Sequence, residues 1–260
     1  MKHVGFRIKT YLEYRRRAVN QYGLHSPFLF EFYKACFRPS YKHSFPSILS
    51  LRKKLRNNRN EILITDFGAG SLVSKSNSRK ISEMYTSAAI SKKQGEFLNR
   101  LVTYLKPYSI LELGTHLGLS SAYMALNSTA RVTSLEGCPN TAEIASQNHS
   151  ILNQENISVQ VGSFHELLPN VLSTIENVDM AYVDGNHSYD GTIWNYEQIL
   201  PKTSEDSVLI FDDINWSPDM KKAWDDIISK PEISFSINCY KFGLIFFRKG
   251  VEKQDFYFKF

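Results

Sequence analysis

Four stretches of this chain gather side chains that can bind or react. In Ile110-Leu-Glu-Leu-Gly-Thr-His-Leu-Gly-Leu-Ser120 an apolar run enters Gly114, and Gly118 opens the next segment. Missing side chains at such a turn let backbone approach a flat, bulky ligand. The GxxxG spacing departs from the GxGxxG dinucleotide fingerprint, and small residues at a plain tight turn would look the same. Arg131-Val-Thr-Ser-Leu-Glu136 follows, placing a carboxylate about 20 residues beyond the glycines, where it suits both hydroxyls of a ribose. A surface glutamate is the alternative reading. Val178-Asp-Met-Ala-Tyr-Val-Asp-Gly-Asn-His187 ends on Asp184 with His187 three residues on, and Val208-Leu-Ile-Phe-Asp-Asp-Ile214 ends on Asp212 and Asp213. Three carboxylates at neighbouring strand ends repel unless protons or a cation intervene. Oxygen donors of this kind suit Mg²⁺, Mn²⁺ or Ca²⁺ better than zinc. A loop anchor without metal would use the same residues. An imidazole titrates near neutral pH, so His187 suits a base as well as a loop scaffold.

The elements that must carry these groups alternate regularly from residue 94 onward. Gln94–Leu105 predicts a helix with Phe97, Leu98, Leu101, Val102 and Leu105 on one face. Strands are expected at Ser109–Leu113, Arg131–Leu135, Ile157–Val161, Val178–Val183 and Ser207–Phe211. Helices are expected at Leu119–Leu126, Thr141–Leu152, Gly191–Leu200 and Phe164–Ile175, the last interrupted near Pro169. Ser217-Pro-Asp starts a further helix, with Ser as N-cap and Pro at the first helical position. Ile233–Tyr240 and Leu244–Arg248 close the chain as a hairpin around Lys241-Phe-Gly243. Alternation of this kind implies a parallel sheet covered by helices, and ligands of such sheets sit at the carboxyl ends of the strands.

The first part of the chain differs. Residues 1–60 hold 14 Lys/Arg against 2 Asp/Glu, a balance of +12, whereas the remainder carries −7. Ile8–Val19, with Arg15-Arg-Arg17, is a basic amphipathic helix candidate. His25-Ser-Pro-Phe28 is a turn leading into the aromatic run Phe28–Tyr33. A basic arm on an acidic body can meet nucleic acid, an anionic membrane surface or an acidic substrate, or be a solvated helix face. Glu61–Asp66 reads as a strand followed by Phe67-Gly-Ala-Gly-Ser71, yet no apolar helix and no second acid-ended strand follow, so residues Gly68–Lys80 are expected to be a mobile loop. Cys36, Cys138 and Cys239 form no CxxC pair. No apolar run reaches the ~18 residues of a membrane span, and the N-terminus lacks a signal-peptide core. A cytoplasmic protein is the expectation.

In order, these motifs resemble class I S-adenosylmethionine-dependent methyltransferases over residues 94–248, in particular the branch of catechol and caffeoyl-CoA O-methyltransferases. The wording Asp184-Gly-Asn-His-Ser-Tyr-Asp190 also resembles a methyltransferase group with an Asp-Gly-x-His-x-Tyr motif. The resemblance implies S-adenosyl-L-methionine as cofactor, held by Glu112, Gly114, Thr115, His116, Gly118 and Ser120, by Glu136 and Gly137, and beside the adenine by Ser163 and Phe164, with Asp184 also near it. It implies Mg²⁺ or Mn²⁺ on Asp184, Asp212 and Asp213; catalysis is expected of His187 as base, from its imidazole chemistry, with Asp184. Two departures stand out: Asp213 replaces an Asn, and His187 takes the place of a catalytic lysine.

The expected fold is therefore α/β, a Rossmann-like doubly wound sheet of about seven strands with the last antiparallel. A basic, mostly helical cap over residues 1–85 precedes the methyltransferase domain, 86–260. The expected activity is O-methylation of a small-molecule acceptor by a possible homodimer. An RNA methyltransferase using the basic arm, a nicotinamide oxidoreductase and a non-catalytic cofactor-binding module are the rivals.

Overall fold

The computed structural model describes residues 3–20, 26–40, 44–65 and 78–260. The Phe67–Ser71 glycines, most of the expected 68–80 loop and His25 lie outside them. Along the chain run α1 (Val4–Arg17), α2 (Pro27–Phe32) with a wider turn at Tyr33–Phe37, α3 (Pro46–Asn57), β1 (Glu61–Leu63), β2 (Ser78–Lys80), α4 (Ile81–Ala88) and α5 (Lys92–Leu105). Then follow β3 (Ser109–Leu113), α6 (Leu119–Ala125), β4 (Arg131–Glu136), α7 (Pro139–Ile151), β5 (Ile157–Val161), α8 (Phe164–Thr174), β6 (Met180–Val183) and α9 (Tyr189–Ile199). The chain ends with β7 (Val208–Phe211), α10 (Pro218–Ser229), β8 (Phe235–Asn238), β9 (Gly243–Phe246) and β10 (Gln254–Tyr257).

The chain divides into two compact units. One is the continuous stretch Arg38–Val171. Its strands β3, β4 and β5 pair in parallel in that order, Leu113 opposite Leu135 and Glu136 opposite Val161. Helix α5 starts where the Ser91 hydroxyl accepts from the Gln94 N–H at 3.2 Å, and it buries Phe97, Leu98, Leu101 and Val102. This apolar stripe recurs at three- and four-residue spacing, which makes one face of a helix. A small antiparallel ladder joins β1 to β2.

The other unit joins Met1–Phe37 to Leu172–Phe260. Its strand order is β6-β7-β9-β8-β10. Strand β9 is antiparallel to both β7 and β8, while β10 lies parallel to β8. The hairpin expected at the end is present, but the chain then adds β10, which pairs with β8 and was not among the expected strands. The Ser217 hydroxyl accepts from the Met220 N–H at 3.2 Å with Pro218 in the first turn of α10, as the Ser-Pro-Asp signal implies. Helix α8, by contrast, runs unbroken through Pro169. A proline inside a helix forfeits one backbone bond and strains the turn before it, and the buried Leu168, Val171 and Leu172 hold this one together.

Aromatic packing ties residues 28–37 into this unit. Phe235 and Phe246 stack across β8 and β9, with centroids 4.3 Å apart. Phe32 meets Phe246 edge-on at 5.6 Å, and Tyr33 meets Phe258 at 5.0 Å. The Phe28–Tyr33 run is thus core-forming.

Candidate active site

The glycine turn lies in the Arg38–Val171 unit. Gly114 and Gly118 take φ values of 99° and 72°, and His116 between them takes 49°. Gly114 donates its N–H to the Leu135 carbonyl at 2.9 Å, so the turn is hung on the end of β4. Helix α7 closes it from below. The Asn148 side chain donates to the Leu117 carbonyl at 2.9 Å, and the buried His149 Nε2 lies 3.0 Å from the Gly118 carbonyl and 2.9 Å from the Ser121 hydroxyl. A Cβ on Gly118 would stand 2.5 Å from His149 Nε2, so both the φ and the space demand glycine. Burial pulls the His149 imidazole down to about 4, which keeps it neutral and able to share one proton between these partners.

Two carboxylates flank the turn. Glu136, half-buried at the end of β4, accepts from the His116 N–H at 2.8 Å through Oε2 and from the Cys138 N–H at 2.9 Å through Oε1. Both bonds fix its direction. Glu112 is fully buried within β3 and accepts from the Ser134 hydroxyl, which also meets Thr115 Oγ1 at 2.5 Å. Its Oε1 has no hydrogen-bond partner among the described residues. Burial pushes the Glu112 carboxyl up to about 7; the hydroxyls of Ser120, Ser134 and Ser121 offset part of this and the Glu136 charge adds to it. An unsatisfied buried oxygen of this kind is costly unless a ligand completes it. Ser120 is buried, while Gly137, Ser163 and Phe164 are half-buried. The Ser163 carbonyl accepts from the N–H groups of Glu166 and Leu167 at the start of α8.

The acidic residues lie in the other unit. Asp184, His187 and Asp213 each offer a ligand atom, and these atoms lie within 4.8 Å of one another. His187 Nε2 is 3.5 Å from Asp184 Oδ1. Asp212 is not in this trio. Its buried carboxylate accepts from the Tyr182 hydroxyl at 2.9 Å and pairs with Lys241 Nζ at 3.6 Å. Asp213 takes φ 53°, which turns the chain immediately after Asp212. Burial, and next the Asp212 charge, push the Asp213 carboxyl up, against the opposing pull of Lys241, His187 and Arg7. The expected three-carboxylate set is therefore rearranged: His187 joins Asp184 and Asp213, and Asp212 turns to Tyr182 and Lys241.

The rest of the Asp184–Gly191 motif is scaffold. Asn186 takes φ 53° and packs so closely on Gly191 that a Cβ there would stand 2.2 Å from its Nδ2. The Ser188 hydroxyl caps α9 by accepting from the Gly191 N–H at 3.1 Å, and Tyr189 donates to Asp226 at 2.7 Å. These contacts hold Asp184 and His187 at the mouth of α9.

A family model described as a methyltransferase domain matches residues 111–214, from the glycine turn to the residue after Asp213. Over that stretch the chain is similar to methyltransferase domains. Catechol O-methyltransferase of Sus scrofa is 29% identical over 100 residues, which cover 36% of this chain and 54% of that protein. The chain thus spans about half the length of the curated relative it matches. Among solved structures, the O-methyltransferase of Bacillus cereus in complex with SAH aligns with TM-score 0.54 and 23% identity over 62% of this chain and 83% of that one. A Podospora anserina methyltransferase bound to SAH aligns with TM-score 0.59 and 13% identity over 87% and 97%. At these identities the solved structures establish the fold, a Rossmann-like α/β arrangement with a mostly parallel sheet. Three contributors to these sites escaped the sequence reading: His149 and Asn148 beneath the glycine turn, and Lys241 beside Asp212. The helical spacing of α7 marked only its apolar face, and Lys241 sat in what read as a plain hairpin turn.

Proposed function

We propose that this protein transfers the methyl group of S-adenosylmethionine to a hydroxyl oxygen of a small-molecule acceptor. The observation that carries the reading is the glycine turn flanked by a direction-fixed Glu136 and by Glu112 with its unpartnered buried oxygen. These residues fit the cofactor. Gly114 and Gly118 leave room for close backbone approach, Glu136 suits ribose hydroxyls, and Glu112 suits a cationic amino group. Gly137, Ser163 and Phe164 follow β4 and β5, where an adenine edge would lie, and Thr115, His116 and Ser120 complete the turn. When bound, S-adenosylmethionine supplies an electrophilic methyl on a sulfonium. The likeness to a relative named catechol O-methyltransferase supports oxygen as the receiving atom.

In the other unit His187 and Asp184 are the groups suited to move a proton. His187, whose ring lies 3.5 Å from Asp184 Oδ1, is suited to take the proton of an acceptor hydroxyl, and the cofactor would supply the methyl and leave as the thioether. Asp184, His187 and Asp213 also have the donors and spacing to hold Mg²⁺ or Mn²⁺, which would supply Lewis acidity to the acceptor hydroxyl. A His187 lone pair committed to a cation is unavailable as a base, so the two roles exclude each other at any moment. Residues 1–85 are assigned to acceptor selection, and the setting is cytoplasmic.

Calorimetry with S-adenosylmethionine tests this reading. Saturable binding is expected, and Glu136→Ala should weaken it by about 1–3 kcal/mol, the worth of one or two hydrogen bonds to a charged group. Wild-type protein that binds no cofactor would sink the assignment.

A further inference from the structure

Helix α1 is anchored on one side and bare on the other. Thr10 and Tyr14 are buried, and the Tyr14 hydroxyl donates to the Phe258 carbonyl at 2.6 Å. The Tyr240 hydroxyl donates to the Arg7 carbonyl at 2.7 Å, and its ring meets Tyr11 at 5.0 Å. The outward side carries Val4, Ile8 and Leu12, exposed by 50%, 57% and 53%, with Tyr11 at 44%. Spacing of four residues sets these side chains in one stripe along the helix. At 100° per residue Arg15 falls within the stripe, and Lys9 and Arg16 fall along one flank. Glu13 is the helix's single acid. Beside the helix Trp216 is 50% exposed, and the Arg7 guanidinium lies 4.7 Å from its ring centre.

We propose that α1, with Trp216 beside it, is a docking surface for an anionic lipid bilayer. A helix in the interface plane inserts an apolar stripe among acyl chains and sets basic side chains against anionic headgroups, and tyrosine and tryptophan sit at that depth. Each Lys or Arg near an anionic leaflet adds about 1 kcal/mol, and the outward side and flank of α1 offer Lys9, Arg15 and Arg16, whereas Arg17 is engaged with the Tyr257 ring. A nucleic acid would use the same cations but gain nothing from exposed Val4, Ile8 and Leu12, since affinity for a phosphate backbone comes from charge. The bilayer accounts for both halves of the surface. No helix among the described residues is long and apolar enough to cross a membrane, so this contact lies on the bilayer surface. The inference stands independently of the methyl-transfer reading.

Sedimentation of the full chain with phosphatidylcholine vesicles, with and without phosphatidylglycerol, tests it. The protein should pellet with the anionic vesicles, less so as salt rises, and stay in solution with neutral ones. Leu12→Glu should reduce pelleting about tenfold or more, because it sets a charge at acyl depth, and Arg15→Glu/Arg16→Glu should remove the anionic preference. Leu12→Ala is the milder companion, and unchanged cofactor binding and circular dichroism confirm that each variant is folded. Three outcomes would overturn the proposal: no pelleting with either vesicle, equal pelleting of wild type and Leu12→Glu, or a concentration-dependent dimer that Leu12→Glu dissociates. Capture of a short RNA without vesicle binding would assign the cations to nucleic acid instead.

Discussion

Lys241 Nζ lies 3.6 Å from Asp212 Oδ2, so the most buried carboxylate of the acidic group already has a cationic partner from the turn between β8 and β9. Burial works against the Lys241 charge, but the carboxylates of Asp212, Asp213 and Asp184 outweigh it and hold the ammonium above its usual range. The same charges that attract a divalent cation attract this one. Lys241→Met should therefore tighten Mn²⁺ binding, read by calorimetry or paramagnetic resonance, while Lys241→Arg should leave it weak. Lys241→Met should also lower the unfolding temperature, and added Mn²⁺ should restore it. Its cost should fall between the ~1 kcal/mol of an exposed pair and the ~3–5 kcal/mol of breaking a buried one, since Lys241 is itself half-exposed. Equal Mn²⁺ affinity in wild type and Lys241→Met would remove the competition from the account.

Glu112 predicts a pH dependence of two signs. Its folded carboxyl is raised to about 7 from a reference of 4.5, so the native state holds the proton more tightly than the unfolded chain. Stability should be highest below about 4.5 as far as this group is concerned, decline as pH rises toward about 7, and stay flat above. Binding of a cationic amino group favours the ionised form, so cofactor affinity should rise ~5-fold between pH 6 and 7 and release a proton. Titrations near pH 6.5 in buffers of differing ionisation enthalpy read that proton. Glu112→Gln should abolish both the release and the pH dependence; a Glu112→Gln protein that keeps them points to another group.

Gly118→Ala should destabilise the protein by about 1–3 kcal/mol through a strained backbone conformation, with further loss from the 2.5 Å approach to His149 Nε2. The crowding part is separable. In a His149→Ala background the imidazole is gone, so Gly118→Ala should cost less there, and a double-mutant cycle by denaturant unfolding measures the difference. Additive costs would show that only the φ matters.

The two duties proposed for His187 exclude each other, and one substitution series sorts them. If it is the base, His187→Ala should lower the rate by ~10²–10⁴-fold while Mn²⁺ affinity stays as in wild type. If it is a ligand, metal affinity and chelator sensitivity should change together with the rate. A His187→Ala enzyme with unaltered rate and pH profile would leave the ring as loop scaffold.

The strands, the glycine turn and the acid after β4 were legible because each is written in contiguous residues: an apolar run, a pair of glycines, a carboxylate. What the sequence did not carry was direction. Asp212 and Asp213 are adjacent and chemically alike, yet the φ of 53° at Asp213 sends the two side chains to different partners. Lys241 reaches Asp212 from 29 residues away through a hairpin turn, and His149 reaches Gly118 from 31 away across a helix. Strand β10 escaped because Gln254-Asp-Phe-Tyr257 is short, begins with two polar residues and pairs with β8 at the sheet's edge. Pairing partners of that kind are a property of the tertiary fold.

The pairing of residues 14–33 with residues 246–259 within one unit has a consequence for how that unit folds. Val19 donates to the Tyr257 carbonyl at 2.7 Å, Lys259 donates back to the Val19 carbonyl at 3.3 Å, and Tyr14 reaches Phe258. The Arg38–Val171 unit is contiguous and is synthesised as one stretch, and it separates α1 and the Phe28–Tyr33 aromatics from the rest of their own unit. Until residues 235–258 emerge, Phe32 and Tyr33 lack Phe246 and Phe258 to pack on. The nascent chain must keep an aromatic, basic segment in solution while the intervening unit is made, and loss of Tyr257 and Phe258 would take away the seat of the first helix.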